Sequence, residues 1–384
     1  MKETLSHRER ILISLNHQEP DRVPLDLGGT YASSLTSKAY ENLKRYLRLN
    51  HPTVIMRKWA DIVVPDESIL THFDIDTRVI MPRAERGWVE GWREELLSDG
   101  SSRDEWGLVR IKPPEGYYFM KSFPFAGEKT INDLEKYPWP NIEDPERFKG
   151  LRERAAFLRE KTDYALITIF PRPFVSLSQF LRGYMDWFTD LIINREFIET
   201  LMEKILEVCL GIGKRLLEEI GEYVDLIFVH DDLATEESLM MSPSLYREIV
   251  KPRHKKIFDL IKDMTQAKII YHCDGAIYPI IQDFIEIGVD VLNPVQVSAK
   301  GIDTDILKRE FGDRLSFWGA IDTSYVLPKG TLEEVKAEVR KRIGHLGKGG
   351  GYVLAPVHNI LDEVPPENIE AMYHEAKVYG RYGH

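Results

Sequence analysis

Apolar and polar positions fall into a repeating two-part pattern through the second half of the chain. Short, continuous apolar runs recur at 165–170, 225–230, 268–272, 289–293, 315–319 and 352–355. Between them, apolar residues return every three or four positions, as on one face of a helix. The stretch 188–219 carries Leu191, Phe197, Leu201, Ile205 and Val208 in this way, and 331–346 carries Leu332, Val335, Val339 and Ile343 with charges opposite. Ser242-Pro243 predicts a helix start, with serine as N-cap and proline at the first helical position, and Pro252 predicts a kink further along. A shorter helix is expected over Ile277, Ile280, Ile281 and Phe284, stopping near Gly288, and Pro365-Pro366-Glu367-Asn368 reads as another helix start.

Strands that are apolar throughout and alternate with helices predict a parallel sheet covered on both faces. The six runs, with Val23-Pro24-Leu25-Asp26-Leu27 near the start, approach the eight strands of a barrel. An open, doubly wound sheet is the alternative. No GxGxxG or Walker sequence follows any run, which weakens a nucleotide-binding reading. The expected fold class is α/β, a (β/α)8 TIM-like barrel with an irregular N-terminal elaboration, in one domain over 1–384.

Residues 30–150 lack this alternation and are rich in Pro, Trp and Tyr. Trp88, Trp92 and Trp106, with Glu105 and Arg110, suggest short antiparallel strands, and 113–119 reads as a turn followed by an aromatic edge. The segment is expected to elaborate the barrel and help roof its mouth, its aromatics serving more as local core than as substrate contacts.

The formal charge of −11 disfavours nucleic-acid binding as the main role. No run reaches the roughly 18 consecutive apolar residues of a spanning helix, and the first ten residues lack a signal peptide's apolar core. A cytoplasmic protein without a membrane role is the expectation. Only Cys209 and Cys273 are present, so neither a disulfide framework nor a cysteine-rich zinc site is available.

Barrel chemistry takes place at the C-terminal ends of the strands, so polar residues just past the apolar runs are informative. They are His230-Asp231-Asp232, His272 with Asp274, Asn293 with Gln296, Asp322, and His358 with Asn359. His272 and Asp274 stand two apart at a strand end and point the same way, with Cys273 facing away and Tyr271 expected to pack beneath the site. Alone, such a pair is commonly no more than solvent-facing polarity. His358, after the run at 352–355, is the candidate third metal ligand if its strand end lies beside theirs.

At these residues the chain resembles the uroporphyrinogen decarboxylase superfamily, and within it the corrinoid-dependent methyltransferase branch. The resemblance runs from Arg8-Glu9-Arg10 and Pro20-Asp21-Arg22-Val23-Pro24 through Met241-Ser242-Pro243, Tyr246, Pro252 and Tyr271–Gly275 to Ala355-Pro356 and Pro365–Ile369. It implies a single TIM-like barrel. Thiol-directed members bind zinc through a His-x-Cys pair and a later Cys; here His272 falls on their histidine, Asp274 on the first cysteine and His358 on the second. The resemblance therefore implies a His2Asp zinc set with an open position, harder than a thiolate site. Such a centre suits cleavage of a methyl–oxygen bond, and an O-demethylating methyltransferase is expected. A methoxylated small molecule, such as an aryl methyl ether, would donate methyl to the cobalt of a corrinoid protein. Asp231 or Asp232 would complete the site as fourth ligand or proton carrier, or else cap the loop towards Ser242. Asn293, Gln296 and Asn359 are candidate substrate contacts, with loop satisfaction as the competing role. The oligomeric state is open, a homodimer among the options. One alternative is a uroporphyrinogen decarboxylase-type enzyme, disfavoured because 26–32 lacks the arginines of that family's RQAGRY-type segment. Another is a metal-free binding protein on the same scaffold.

Overall fold

The computed structural model describes residues 4–84, 87–88, 94–113, 116, 118–171 and 174–383. Seven parallel strands form its central sheet: β1 (Thr77–Ile80), β2 (Ala165–Ile169), β3 (Leu226–His230), β4 (Lys268–His272), β5 (Val291–Asn293), β6 (Ser316–Ile321) and β7 (Tyr352–Pro356). They pair in chain order from β1 to β7. Residues 24–26 close the ring. Leu25 bridges Leu354 in parallel, Asp26 N donates to Leu354 O, and Asp76 N donates to Leu25 O on the other side. Eight parallel segments thus surround one axis, with helices outside, as the alternating pattern predicts.

Why does so short a segment hold the seam? Asp76 lies just ahead of β1 and is fully buried. One carboxylate oxygen accepts the Leu25 N–H at 2.7 Å and an Arg22 N–H at 2.8 Å; the other accepts from Arg10 at 2.7 Å. Asp225 and Asp290 repeat the device ahead of β3 and β5, accepting Leu166 N at 2.9 Å and Ile269 N at 2.8 Å. Each aspartate satisfies an N–H at the start of the neighbouring strand, where the ladder leaves it unpaired.

Side chains alternate between the lumen and the outer layer. Ala165, Ile167, Leu226, Phe228, Ile270, Val291, Trp318, Val353 and Ala355 fill one apolar cluster with Ile11 and Leu15. The last two lie on α1 (His7–Leu15), whose Ser14 exchanges hydrogen bonds with Tyr352 at the start of β7. The helix therefore stoppers the N-terminal end of the barrel. The opposite face of the strands, Tyr271 and Cys273 included, packs with the outer helices.

Several expected boundaries shift. Helix α2 (Phe174–Arg182) follows β2. The helix expected over 188–219 is two helices, Tyr184–Ile193 and the longer Arg195–Ile220, broken at Asn194 with φ −142° and ψ 52°. Ser242 does cap the next helix, accepting from Leu245 N, and Pro252 follows a π-helical turn over Tyr246–Val250 at the start of α3 (Lys251–Met264). Leu332 is 46% exposed, while Val335 and Val339 on the same helix are buried. β1 falls inside the stretch expected to be elaboration. The same stretch holds a four-stranded antiparallel sheet, Glu94–Leu96, Ser102–Asp104, Val109–Ile111 and Phe119–Ser122. Trp106 is buried near Trp139, which packs with Phe125 and Tyr137 as local core. Trp88 lies on a two-residue strand, and Trp92 lies outside the described residues. Among the described residues no helix is long and apolar enough to cross a membrane.

Asp76→Ala should leave two buried guanidinium groups without their shared partner. Loss of one member of a buried ion pair costs about 3–5 kcal/mol, and chemical denaturation should show a loss of that size.

Candidate metal centre

Barrel closure brings the C-terminal ends of β4 and β7 to one mouth. His272 is the last residue of β4 and shares the inward face with Ile270. The chain then turns at Gly275, whose φ of +97° and contact with Thr235 O leave no room for a Cβ. Asp274 is thereby held beside His272, and its Oδ2 lies 3.4 Å from His272 Nε2. His358, just past β7, places Nε2 3.9 Å from the same oxygen. One ligand atom from each of the three lies within 4.8 Å of the others. Asp274 Oδ1 is buried with no hydrogen-bond partner among the described residues.

The environment of each group favours coordination. His272 Nδ1 meets Asn293 Oδ1 at 2.6 Å, which fixes the ring and directs Nε2 to Asp274. Burial acts to lower the His272 pKa, but the neighbouring Asp274 carboxylate, helped by Asp232 and the Asn293 bond, outweighs it and brings the group up to about 9. Burial acts to raise Asp274, and the His272 charge overrides that and lowers it. His358 is lowered, chiefly by burial, with His272 and Arg57 adding and Asp274 opposing. Its side chain is still 44% exposed, so solvent screens part of these influences. A neutral imidazole, an ionised carboxylate and an imidazolium whose proton faces that carboxylate form a set in which a divalent cation can take the proton's place.

A cavity of about 420 Å³ opens over Asp274 and His358, bordered by Gln296, Glu236 and Ser324. That is room for a small molecule.

The remaining sequence candidates separate. Asp232 lies beside the triad and accepts the Asp274 N–H at 3.2 Å. Burial, with repulsion from Asp274 and Asp231 against the opposing pull of His272, raises it to about 6. Asp231 points the other way and is fully buried. It accepts the N–H groups of Val175 and Ser176 at 2.9 and 2.8 Å at the start of α2, together with the Ser176 hydroxyl and His254 Nε2. It therefore caps α2, not the loop towards Ser242. Asn293 serves His272 directly. Gln296 borders the cavity while accepting Gly275 N–H and donating to Glu236. Asn359 is buried and donates to the carbonyls of Tyr31 and Ala32, holding the segment after the first barrel strand. Tyr271 is packed beneath the site, its hydroxyl between Asp231 O and His254.

The family pattern described as Uroporphyrinogen decarboxylase (URO-D) matches residues 121–379. The chain belongs to the uroporphyrinogen decarboxylase family. The methylcobamide:CoM methyltransferase MtaA of Methanosarcina barkeri is 25% identical over 230 residues, 59% of this chain and 62% of that relative. The match therefore spans under two thirds of that protein. The methylcobamide:CoM methyltransferase MtbA of Methanosarcina mazei is 24% identical over 256 residues, 65% of this chain and 69% of the relative. A uroporphyrinogen decarboxylase of Pelodictyon phaeoclathratiforme is 26% identical over 160 residues, 41% of this chain and 43% of that one. A solved methyltransferase from Methanosarcina mazei superposes with a TM-score of 0.68 at 18% identity, over 98% of this chain and 99% of its own, and shares the fold. The resemblance to the methyltransferase branch of the family, read from the motifs, is borne out by these relatives.

Two residues of this family member's centre escaped the sequence reading in their roles. Asn293 is the ladder partner of His272, a placement that depends on register. His254 sits 1% exposed on α3 among Phe174, Phe258 and Tyr271, and its spacing reads as ordinary core.

Where His272, Asp274 and His358 hold a divalent cation, Asn293→Ala should weaken its binding about 10- to 100-fold, the usual effect of losing a group that orients a ligand, read by competition with a chromogenic chelator. Asp231→Ala should instead leave that affinity within a few-fold and cost about 1–3 kcal/mol for stranded donors, read by thermal unfolding.

Proposed function

We propose that this protein is a zinc-dependent methyltransferase that moves a methyl group from a methoxylated small molecule, an aryl methyl ether foremost, to the cobalt of a corrinoid protein. The observation that carries the reading is the convergence of His272, Asp274 and His358 beside an open cavity. Two imidazoles and a carboxylate are a donor set that zinc accepts with a position left over. The buried, unpartnered Asp274 Oδ1 and the Asn293-fixed ring of His272 fit that role.

Zinc held there would supply Lewis acidity towards an ether oxygen. The chain's own groups do the rest. Asn293 keeps His272 in one orientation, Gln296 holds the loop that carries Asp274, and the cavity walls position the methoxy group. In the proposed transfer the C–O bond would break with its electron pair on oxygen, and the methyl group would pass to the partner's reduced cobalt, the methyl acceptor, which would supply the pair for the new bond to carbon. The departing oxygen needs a proton, and Asp232 is the nearby carboxyl placed to deliver it. A reduced corrinoid calls for a reducing, cytoplasmic setting.

The relatives named for methylcobamide:CoM methyl transfer support the corrinoid part of the reading, and the donor set distinguishes this chain from a sulfur-ligated thiol enzyme. A decarboxylase acting on a polycarboxylate is disfavoured by the segment after the first strand. Tyr31, Ala32, Ser33 and Ser34 are buried there, with no arginine among residues 26–32.

The purified protein should contain one zinc per chain by elemental analysis, lost in Asp274→Ala and His358→Ala. Demethylation of methoxyarenes with reduced cobalamin, followed by the cobalamin spectrum, should cease with a chelator and return with zinc. Asp274→Ala should slow it about 100-fold or more, the scale of losing a charge-stabilising group. Metal-independent decarboxylation of uroporphyrinogen would replace this reading.

A further inference from the structure

The wall of the cavity over the triad is acidic. Besides Asp274 and His358 it includes Glu236 and Glu363, with Ala234, Val357 and Leu361 as its apolar share. No lysine or arginine stands among its described lining residues. Glu236 is held in place. Its Oε1 accepts from Gln296 Nε2 at 2.9 Å and from the Ser298 hydroxyl at 2.8 Å. Its carbonyl accepts Lys300 N, and the Thr235 carbonyl before it accepts Ala276 N, each at 2.8 Å. Gln296 in turn accepts the Gly275 N–H, so the carboxylate is tied to the loop that carries Asp274. Among the described residues the bonds to this carboxylate come from an amide and a hydroxyl, and no cation pairs with it. The Lys300 ammonium is directed to Glu237 instead, at 3.8 Å.

We propose that Glu236, with Glu363, selects the methyl donor by charge: the site takes an uncharged methoxyarene that bears a hydroxyl group and turns away carboxylated ones. That role rests on the methyltransferase reading of the same cavity. A divalent cation on Asp274 and two neutral imidazoles keeps a single positive charge. Glu236 and Glu363 outnumber it, so an entering carboxylate meets net repulsion, in a chain whose charge of −11 already disfavours anions. A hydroxyl carries no such penalty, and its O–H can donate to the Glu236 carboxylate in a charge-assisted bond. Both donors already present sit on Oε1, which leaves the second oxygen for the ligand. Ala234, Val357 and Leu361 give the aromatic ring its apolar contact. Both glutamates are exposed, so dissolved salt screens their charge and the selection is strongest at low ionic strength.

The test is calorimetric titration of the zinc-loaded protein, at low salt, with meta-methoxybenzyl alcohol and with meta-methoxybenzoate, which differ chiefly in charge at one position. The alcohol should bind about tenfold more tightly than the acid, and added salt should narrow that gap. Glu236→Gln keeps an oxygen for Gln296 and Ser298 but removes the charge. It should narrow the gap severalfold by strengthening the acid, and Glu236→Gln combined with Glu363→Gln should bring the two ligands to within about twofold. Zinc content should not change in either variant. Equal binding of the two ligands by the wild type, binding of neither, or a double variant that keeps the gap overturns the selection. A gap that closes in the double variant, without methyl transfer from the alcohol to reduced cobalamin, would keep the selection and remove only the reaction.

Discussion

Two loops more than eighty residues apart can share one cation only if the barrel between them is closed, and closure runs through Asp76. The 24–26 segment has a single residue bridged to β7 and one backbone hydrogen bond to Asp76 on the far side. That is a thin seam for an eight-stranded ring. The Asp76 carboxylate thickens it with a bond to Leu25 N and pairs with Arg10 and Arg22, which also tie down α1 and the chain ahead of the first strand. Each of these groups is costly to bury alone; together they neutralise one another. The site depends on this network from the opposite end of the barrel, because an opened seam would separate β7, and with it His358, from its fixed position in the ring.

Much of the fold was legible because buried parallel strands are written as short, unbroken apolar runs. Six of the eight strands stood out in that way. β1 did not, and Arg78 shows why. In a four-residue strand, one arginine and one threonine break the apolar signature, yet Arg78 packs its stem and bonds Ile75 O, Thr77 O and Glu67. A polar residue that finds all its partners locally looks like loop in a sequence. The break at Asn194 was hidden for a related reason: apolar spacing continues across it, and one non-helical residue leaves no periodic trace.

The candidate site was legible in proportion to how local its geometry is. His272 and Asp274 share a face because strands repeat every two residues, so their convergence needs no tertiary knowledge. Bringing His358 to them needed the barrel, which the alternation suggested. The part played by Asn293 needed register, since only the pairing of His272 with Asn293 decides which side chain meets the imidazole.

The same two-residue rule divides structure from chemistry throughout the mouth. At the end of β3, His230 turns to the lumen against Tyr31, and Asp232 follows it towards the triad, while Asp231 between them faces outward and caps α2. At the end of β4, His272 and Asp274 turn inward, while Tyr271 and Cys273 join the outer layer. Two adjacent aspartates are thus chemically identical and functionally unlike. Asp231 is saturated by four donors that exist only when α2 and α3 are docked, so its charge is used up in holding the helices. Asp232 shares its surroundings with another carboxylate and an imidazole, and its bond to the Asp274 N–H keeps it on the side of the triad. A strand end that alternates in this way can change the residues facing its mouth without disturbing the helices behind them, since the two sets of contacts fall on opposite faces of one backbone.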